Sequence, residues 1–294
     1  MGTLYIIGNG FDLYFGLRTT TEHFMEHLKK QPVYNEIDGV LDVLNWYGVD
    51  WSEYEQSLNY IDLDELEFQN EIQPDYLSDR ESDRDNGICN MQMYVDSISE
   101  ALYTALEQMT ANADDEVRKL SAKMGKKTLF QSGDAILTFN YTATVEHLFN
   151  VPKNVPIFHI HGFYSANSKL IFGYKSNANG YTANWSEADD YYIARQRETV
   201  YEFYEKWRKH LKIEELRSFL QNCKSVDRVV VLGHSMSAVD AKYMELIEEY
   251  LHPISWEISY HEAKDEMKKG MQKYSFDNKI EFVTIEKLIN RPSV

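Results

Sequence analysis

Four short polar clusters carry the side chains able to do chemistry in this 294-residue sequence: "GNGFD" from Gly8, "FNYT" around Asn140, "HIHG" ending in His161 and Gly162, and "GHSMS" from Gly233. In "GNGFD", glycine at a strand-to-helix turn permits positive φ and a close backbone approach. The helix that follows offers N–H groups and a favourable dipole to an anion. Asn9 and Asp12 have the groups to hydrogen-bond a ribose or an amide. The GxGxxG pattern is incomplete, and the plainer reading is a turn that needs glycine, with Asp12 as a helix N-cap. In "FNYT", the neutral amide of Asn140 both donates and accepts, so it can hold a carboxamide or orient a water; alternatively Asn140 and Thr142 cap the helix of "ATVEHLF".

"HIHG" puts His159 and His161 on one face of a strand. A metal pair would need a third ligand, which is not nearby in sequence, so no metal is expected. A histidine at a strand end before glycine is placed to act as a general base; His159 is the one expected to be buried against backbone. "GHSMS" reads two ways. One is a nucleophile elbow, Gly-x-Ser-x-Gly, built on Ser235, but Ser237 stands where the last glycine belongs. Its triad partners would come from Asp240, Asp265, His252 and His261; His252 precedes Pro253, and His261 opens a predicted helix. The other is a nucleotide-binding turn in which small residues let the backbone approach a phosphate or ribose.

Elements that would position these clusters follow from the hydrophobic pattern. "TLYIIG", "DAILTF", "VPIFHI", "KLIFGY", "DRVVVLG", "ISWEISYH" and "KIEFVTI" read as strands, several separated by helical stretches at crossover spacing. "TTTEHFMEHLKK" reads as a helix, with Thr19 and Glu22 at capping-box spacing. "WSEYEQSLNYI" places Trp51, Tyr54, Leu58 and Ile61 on one helical face, again with Ser52 and Glu55 at that spacing. "QPDYLSDRESDRDNG" reads as a solvated loop. In "MQMYVDSISEALYTALEQM" the residues Tyr94, Ile98, Ala101, Leu102, Ala105 and Met109 form a bundle stripe. The expected fold is α/β: a mostly parallel Rossmann-like sheet with helices on both faces and a large helical insertion. Residues 1–40 and 127–294 make the core, 41–126 an inserted helical subdomain, and 186–224 a smaller helical insertion. In such sheets ligands bind outside the carboxyl ends of the strands, where all four clusters are expected.

The formal charge of −17 argues against bulk nucleic-acid binding, which draws mainly on Lys and Arg. Cys89 and Cys223 are the two cysteines, far apart, which favours a reducing compartment over a disulfide framework. The opening apolar run is too short for a signal segment, and no run approaches the ~20 apolar residues of a membrane span. The expectation is a cytoplasmic protein with no membrane contact.

Taken in order, "LYIIGNGFDLYFGL", "WSEYEQSL", "LTFNYT", "IFHIHG", "LIFGY" and "VLGHSMSAVDAKYM" resemble the AbiH family of bacteriophage abortive infection proteins, from Thr3 to about Tyr250. That family in turn resembles the sirtuin fold, which implies NAD as cofactor or substrate. By that likeness Gly8, Asn9, Gly10, Phe11 and Asp12 line the dinucleotide. Asn140 holds the carboxamide or orients the attacking water, and His161 is the base or ribose partner. Tyr141, Gly162, Gly233, His234, Ser235 and Asp240 complete the pocket, Ser235 as a ligand contact and not a nucleophile. Glu55 could reach over the pocket or serve in its capping box. The four-cysteine zinc module of sirtuin deacylases has no counterpart here, so the likeness points to hydrolysis of NAD in phage defence. Alternatives are a nucleotide-sensing module in a defence complex, a serine hydrolase using Ser235, and an RNA-targeting toxin. The implied partners are a nucleotide ligand, a phage-derived trigger or defence protein, and a second copy of the chain in a homo-oligomer.

Overall fold

The computed structural model describes residues 2–36, 40–41, 44–45, 51–61, 72–166, 168–174, 190–223, 225–237, 239–260, 264–274, 276 and 279–291. The chain divides into two compact units: Met1–Thr19, Thr110–Ile171 and His210–Val294 form the first, Thr20–Met109 and Phe172–Lys209 the second.

The first unit is built on a six-stranded sheet: β1 (Gly2–Ile7), β2 (Ala135–Thr138), β3 (Ile157–His159), β4 (Val226–Leu232), β5 (Ser255–Tyr260) and β6 (Lys279–Thr284). The spatial order is β3-β2-β1-β4-β5-β6, and every pairing is parallel. Parallel strands need crossovers, supplied here by helices. The helices of this unit are α1 (Asn9–Tyr14), the later part of α5 (Glu81–Met124), α6 (Thr144–Leu148), α8 (Ile213–Gln221), α9 (Ala241–Leu251), α10 (Lys264–Met271) and α11 (Ile285–Ile289). Strand side chains alternate between two cores. Leu4, Ile6, Leu137, Val229 and Val231 pack with Leu216, Tyr243, Met244 and Met271 of α8, α9 and α10. Tyr5, Ile7, Ile136, Val230 and Leu232 pack with Phe11, Val117, Val145, Leu148 and Leu288 on α1, α5, α6 and α11. From β1 the order runs one way to β2 and β3, with α6 on the second core, and the other way from β4 to β6, with α9 and α10 on the first. Crossovers of one hand running in opposite directions put their helices on opposite faces.

The second unit is helical among its described residues: α2 (Thr21–Leu28), α3 (Pro32–Glu36), α4 (Trp51–Ser57), the earlier part of α5, and α7 (Tyr191–Lys206). Phe24, Tyr54 and Phe172 are buried and in ring contact with one another. The Glu55 carboxylate receives Lys209 Nζ at 3.2 and 3.0 Å, both side chains buried.

Local differences from the sequence reading have clear causes. The cap of α2 is Thr20, one residue later than expected, and it exchanges bonds with His23 in place of Glu22. Glu55 is held by Lys209. Residues 81–87, read as loop, are the first turns of α5: Glu81 and Asp83 sit where the helix dipole favours acid, and Ser78 Oγ donates to Asp83. Position 87, within this helix, is a glycine where a Cβ would come 2.2 Å from the Ile72 carbonyl oxygen. "KLIFGY" forms no strand, only a bridge between Tyr174 and Arg208. No helix among the described residues is long and apolar enough to cross a membrane.

Candidate functional site

Strand order reverses between β1 and β4, and at such a switch point two turns part and leave a crevice at the carboxyl edge. Here the turns are the two glycine clusters, and they touch. Gly8 caps the start of α1, and its N–H donates to Leu232 O at 3.0 Å, while Gly10 N–H donates to Gly233 O at 2.7 Å. Gly233 has φ +68°, and a Cβ there would fall 2.1 Å from Phe11 N. A Cβ on Gly8 would fall 2.5 Å from His234 Cα. Both glycines are therefore required by backbone approach, and Gly233 by its positive φ as well. Phe11 N–H donates to Gly8 O at 2.9 Å. The N–H groups of Gly8, Gly10 and Phe11, expected to face an anion, are thus bonded within the fold.

Asn140 joins this edge from β2. It is buried, and its Nδ2 donates to Gly8 O at 3.1 Å across the sheet. Its amide also neighbours the Asp12 carboxylate. Neither Asn140 nor Thr142 caps α6, whose N-cap is Ala143 with no side-chain bond. Thr142 Oγ1 instead donates to Asp12 Oδ2 at 2.6 Å. Asp12 lies inside α1 and is not its N-cap. Burial pushes its carboxyl up to about 6, with Thr142, Thr144 and Asn140 opposing the shift and Asp114 adding to it. Its Oδ1 is buried without a hydrogen-bond partner among the described residues.

His161 and His234 meet at one carboxylate. His161 Nε2 is 3.5 Å from Asp240 Oδ1, and His234 Nε2 is 3.5 Å from Asp240 Oδ2. All three residues are buried, and Phe139 lies edge-on to both rings at centroid distances of 5.0 and 4.3 Å. Gly162, at φ +95°, lets the chain turn under Lys169 O, 2.4 Å from where its Cβ would be. Tyr141 OH donates to Ile171 O at 2.7 Å. Asn9 Nδ2 donates to Thr19 O at 3.0 Å.

Ser235 is exposed, and the positive φ belongs to Met236 at 54°. A nucleophile elbow strains the serine itself and enters a helix at once; here α9 starts only at Ala241. His252 forms the left-handed C-cap of α9, Asp265 pairs with Lys268, and His261 lies outside the described residues. His159 binds Glu146 Oε1 at 2.8 Å and stacks on Phe163 at 3.9 Å. No group of three or more His, Cys, Asp or Glu able to hold a metal occurs among the described residues.

Several residues that hold this edge gave no sequence signal. Asp114 on α5 accepts Ala143 N at 2.7 Å and Ser165 Oγ at 2.6 Å, fixing the segment after Asn140. Ser259 Oγ accepts Gly233 N–H at 2.7 Å, and Tyr274 OH donates toward the carbonyls of Met236 and Ser237. They come from distant positions, and nothing local marks them.

A cavity of about 550 Å³ lies at the opposite, amino-terminal edge, lined by residues including Thr3, Tyr5, Asp134, Arg228 and Arg291. Glu257 stands 3.5 Å from Arg228 and 2.8 Å from Arg291, and Asp134 accepts from Thr3 and Gln131 N–H.

Parallel strands in this order, with glycine turns at the switch point, define a doubly wound α/β protein of the Rossmann type. The family model for bacteriophage abortive infection AbiH proteins matches residues 4–260, reaching from β1 through β5, and the chain belongs to the AbiH family. A search of curated proteins found no match.

Proposed function

We propose that this abortive-infection protein binds NAD or a related nucleotide at the carboxyl edge of β1, β2 and β4 and hydrolyses the nicotinamide–ribose bond. The observation that carries the reading is the convergence, at one switch point, of Asn140, His161 and two buried carboxylates. In this reaction the C1′–N bond breaks with its electron pair leaving on nicotinamide, water adds to C1′, and one proton is released. The developing oxocarbenium ion is stabilised by a nearby carboxylate in a dry site. Asp12, largely ionised above about pH 6, suits that role. Asn140 offers an amide proton and a carbonyl to the carboxamide, and His161 takes the proton. Because the turn N–H groups are bonded internally, recognition falls on these side chains at the nicotinamide-ribose end. They are all buried, so substrate reaches them only after a neighbouring segment moves, which fits an activity held low until infection.

The test is nicotinamide release from NAD, followed by chromatography. Release that falls by about 10²-fold or more in Asn140→Ala and His161→Ala, and persists in Ser235→Ala, supports the reading. Binding without release favours a nucleotide sensor, for which the Gly10–Gly233 contact is the element that a ligand would open. Absence of both binding and release refutes the assignment.

A further inference from the structure

Asp240 occupies the N-cap position of α9, yet its side chain makes no cap hydrogen bond. An aspartate there ordinarily accepts from the first helical N–H groups. Instead each carboxylate oxygen lies 3.5 Å from one imidazole Nε2, an ion-pair separation longer than a hydrogen bond. The two rings are not equivalent. Met236 N–H donates to His234 Nδ1 at 2.9 Å, so in the neutral ring Nδ1 is the acceptor and Nε2 carries the proton. The left-handed backbone of Met236, with its buried side chain, aims that N–H. Tyr274 OH holds the carbonyls of Met236 and Ser237 from the other side. His234 therefore presents a fixed N–H to Asp240 Oδ2. On the other side, a lone pair on His161 Nε2 facing Oδ1 would be repelled, whereas an N–H is attracted. Phe139, edge-on to both rings, lowers the local polarity and strengthens that preference.

We infer that Asp240, clamped by His234, is a positioning carboxylate that holds His161 as the Nε2–H tautomer and so makes Nδ1 its accepting nitrogen. Neither Asp240 nor His234 is then a ligand contact; both act through His161. The inference rests on the proposed reaction only for its catalytic consequence, because the tautomer is a property of the protein alone.

The experiment is nitrogen-15 NMR of the histidine rings in the substrate-free protein, where protonated and unprotonated ring nitrogens are resolved by chemical shift. In the wild type, neutral His161 and His234 should both be protonated at Nε2. In Asp240→Asn, Met236 still locks His234, so the amide carbonyl must face His234 and the amide N–H must face His161. His161 alone should switch to the Nδ1–H tautomer. His234→Gln, whose amide N–H can still reach Asp240, should leave His161 unchanged. Where NAD is turned over, Asp240→Asn should lower kcat by about 10³–10⁴-fold with little change in KM, as a wrong tautomer does. A wild-type His161 protonated at Nδ1, or an unswitched His161 in a folded Asp240→Asn protein, overturns the inference whatever the activity. A switched tautomer with unchanged kcat overturns the positioning role. A wild type that leaves NAD intact counts against the proposed reaction alone, and the tautomer still decides this inference.

Discussion

Asp12 offers a direct way to test the physical state of the candidate site. Its carboxyl is almost fully buried, and burial raises it from 3.8 to about 6, with hydroxyl and amide neighbours opposing. Each unit is worth about 1.4 kcal/mol, so ionisation at neutral pH destabilises the fold by about 3 kcal/mol. The sign follows from proton binding. Between the unfolded value of 3.8 and the folded value of about 6, the native state binds more protons than the unfolded chain. The stabilising contribution of this carboxyl is therefore complete below 3.8 and is lost as pH rises through about 6. Asp12→Asn keeps an acceptor for Thr142 and removes the charge. Denaturation of both proteins in urea, at closely spaced values between pH 4 and pH 8, measures the difference. The variant should gain on the wild type by about 3 kcal/mol across that window, most steeply between 3.8 and about 6. A difference that does not change with pH would refute the reasoning.

Two further outcomes follow from the geometry. Gly233→Ala meets Phe11 N at 2.1 Å with φ at +68° and should lose at least about 2 kcal/mol of stability, read as a fall in melting temperature; an unchanged melting temperature would mean the two turns are not in contact. Lys209→Met leaves buried Glu55 without the ammonium that contacts both of its oxygens and should cost about 3–5 kcal/mol, whereas the double variant with Glu55→Leu should recover much of it; equal losses in the single and double variants would contradict a buried pair.

What the sequence made legible was local. Runs such as "VVVLG" and "LYIIG" read as buried strands because β-branched residues filled both faces, as parallel strands require. Their alternation with helices gave the architecture. The capping register of α2 was off by one because Thr19, Thr20 and Thr21 are chemically equivalent in sequence, and only the backbone selects Thr20. The start of α5 was hidden because an acidic run reads as solvated loop even where it is a helix N-terminus. For the candidate site, the four clusters were visible because glycine, asparagine and histidine interrupt apolar runs. Their pairings were not. Thr142 with Asp12 spans 130 positions, and Asp240 between His161 and His234 depends on three separate loops meeting at one sheet edge. Backbone competition was equally invisible: nothing in "GNG" tells that the Gly10 N–H will be taken by Gly233 O.

That competition bears on where chemistry belongs in this fold. A glycine turn that cradles a phosphate must leave its N–H groups pointing outward, and here they close one turn on the other. What remains at the carboxyl edge is a set of buried side chains in two different electrostatic settings. Asp12 has neutral hydroxyl and amide neighbours and is pushed toward its protonated form. Asp240 has an imidazole at each oxygen, one with its tautomer fixed by backbone. Carboxylates held in unlike environments divide acid, base and electrostatic duties between them. The amino-terminal cavity has no such division, since Arg228 and Arg291 share Glu257 and Asp134 is taken by backbone N–H groups. Buried polar groups lower stability where they lack partners, and among the described residues the carboxyl edge of β1, β2 and β4 holds Asp12, Asn140, His161, His234 and Asp240, all buried.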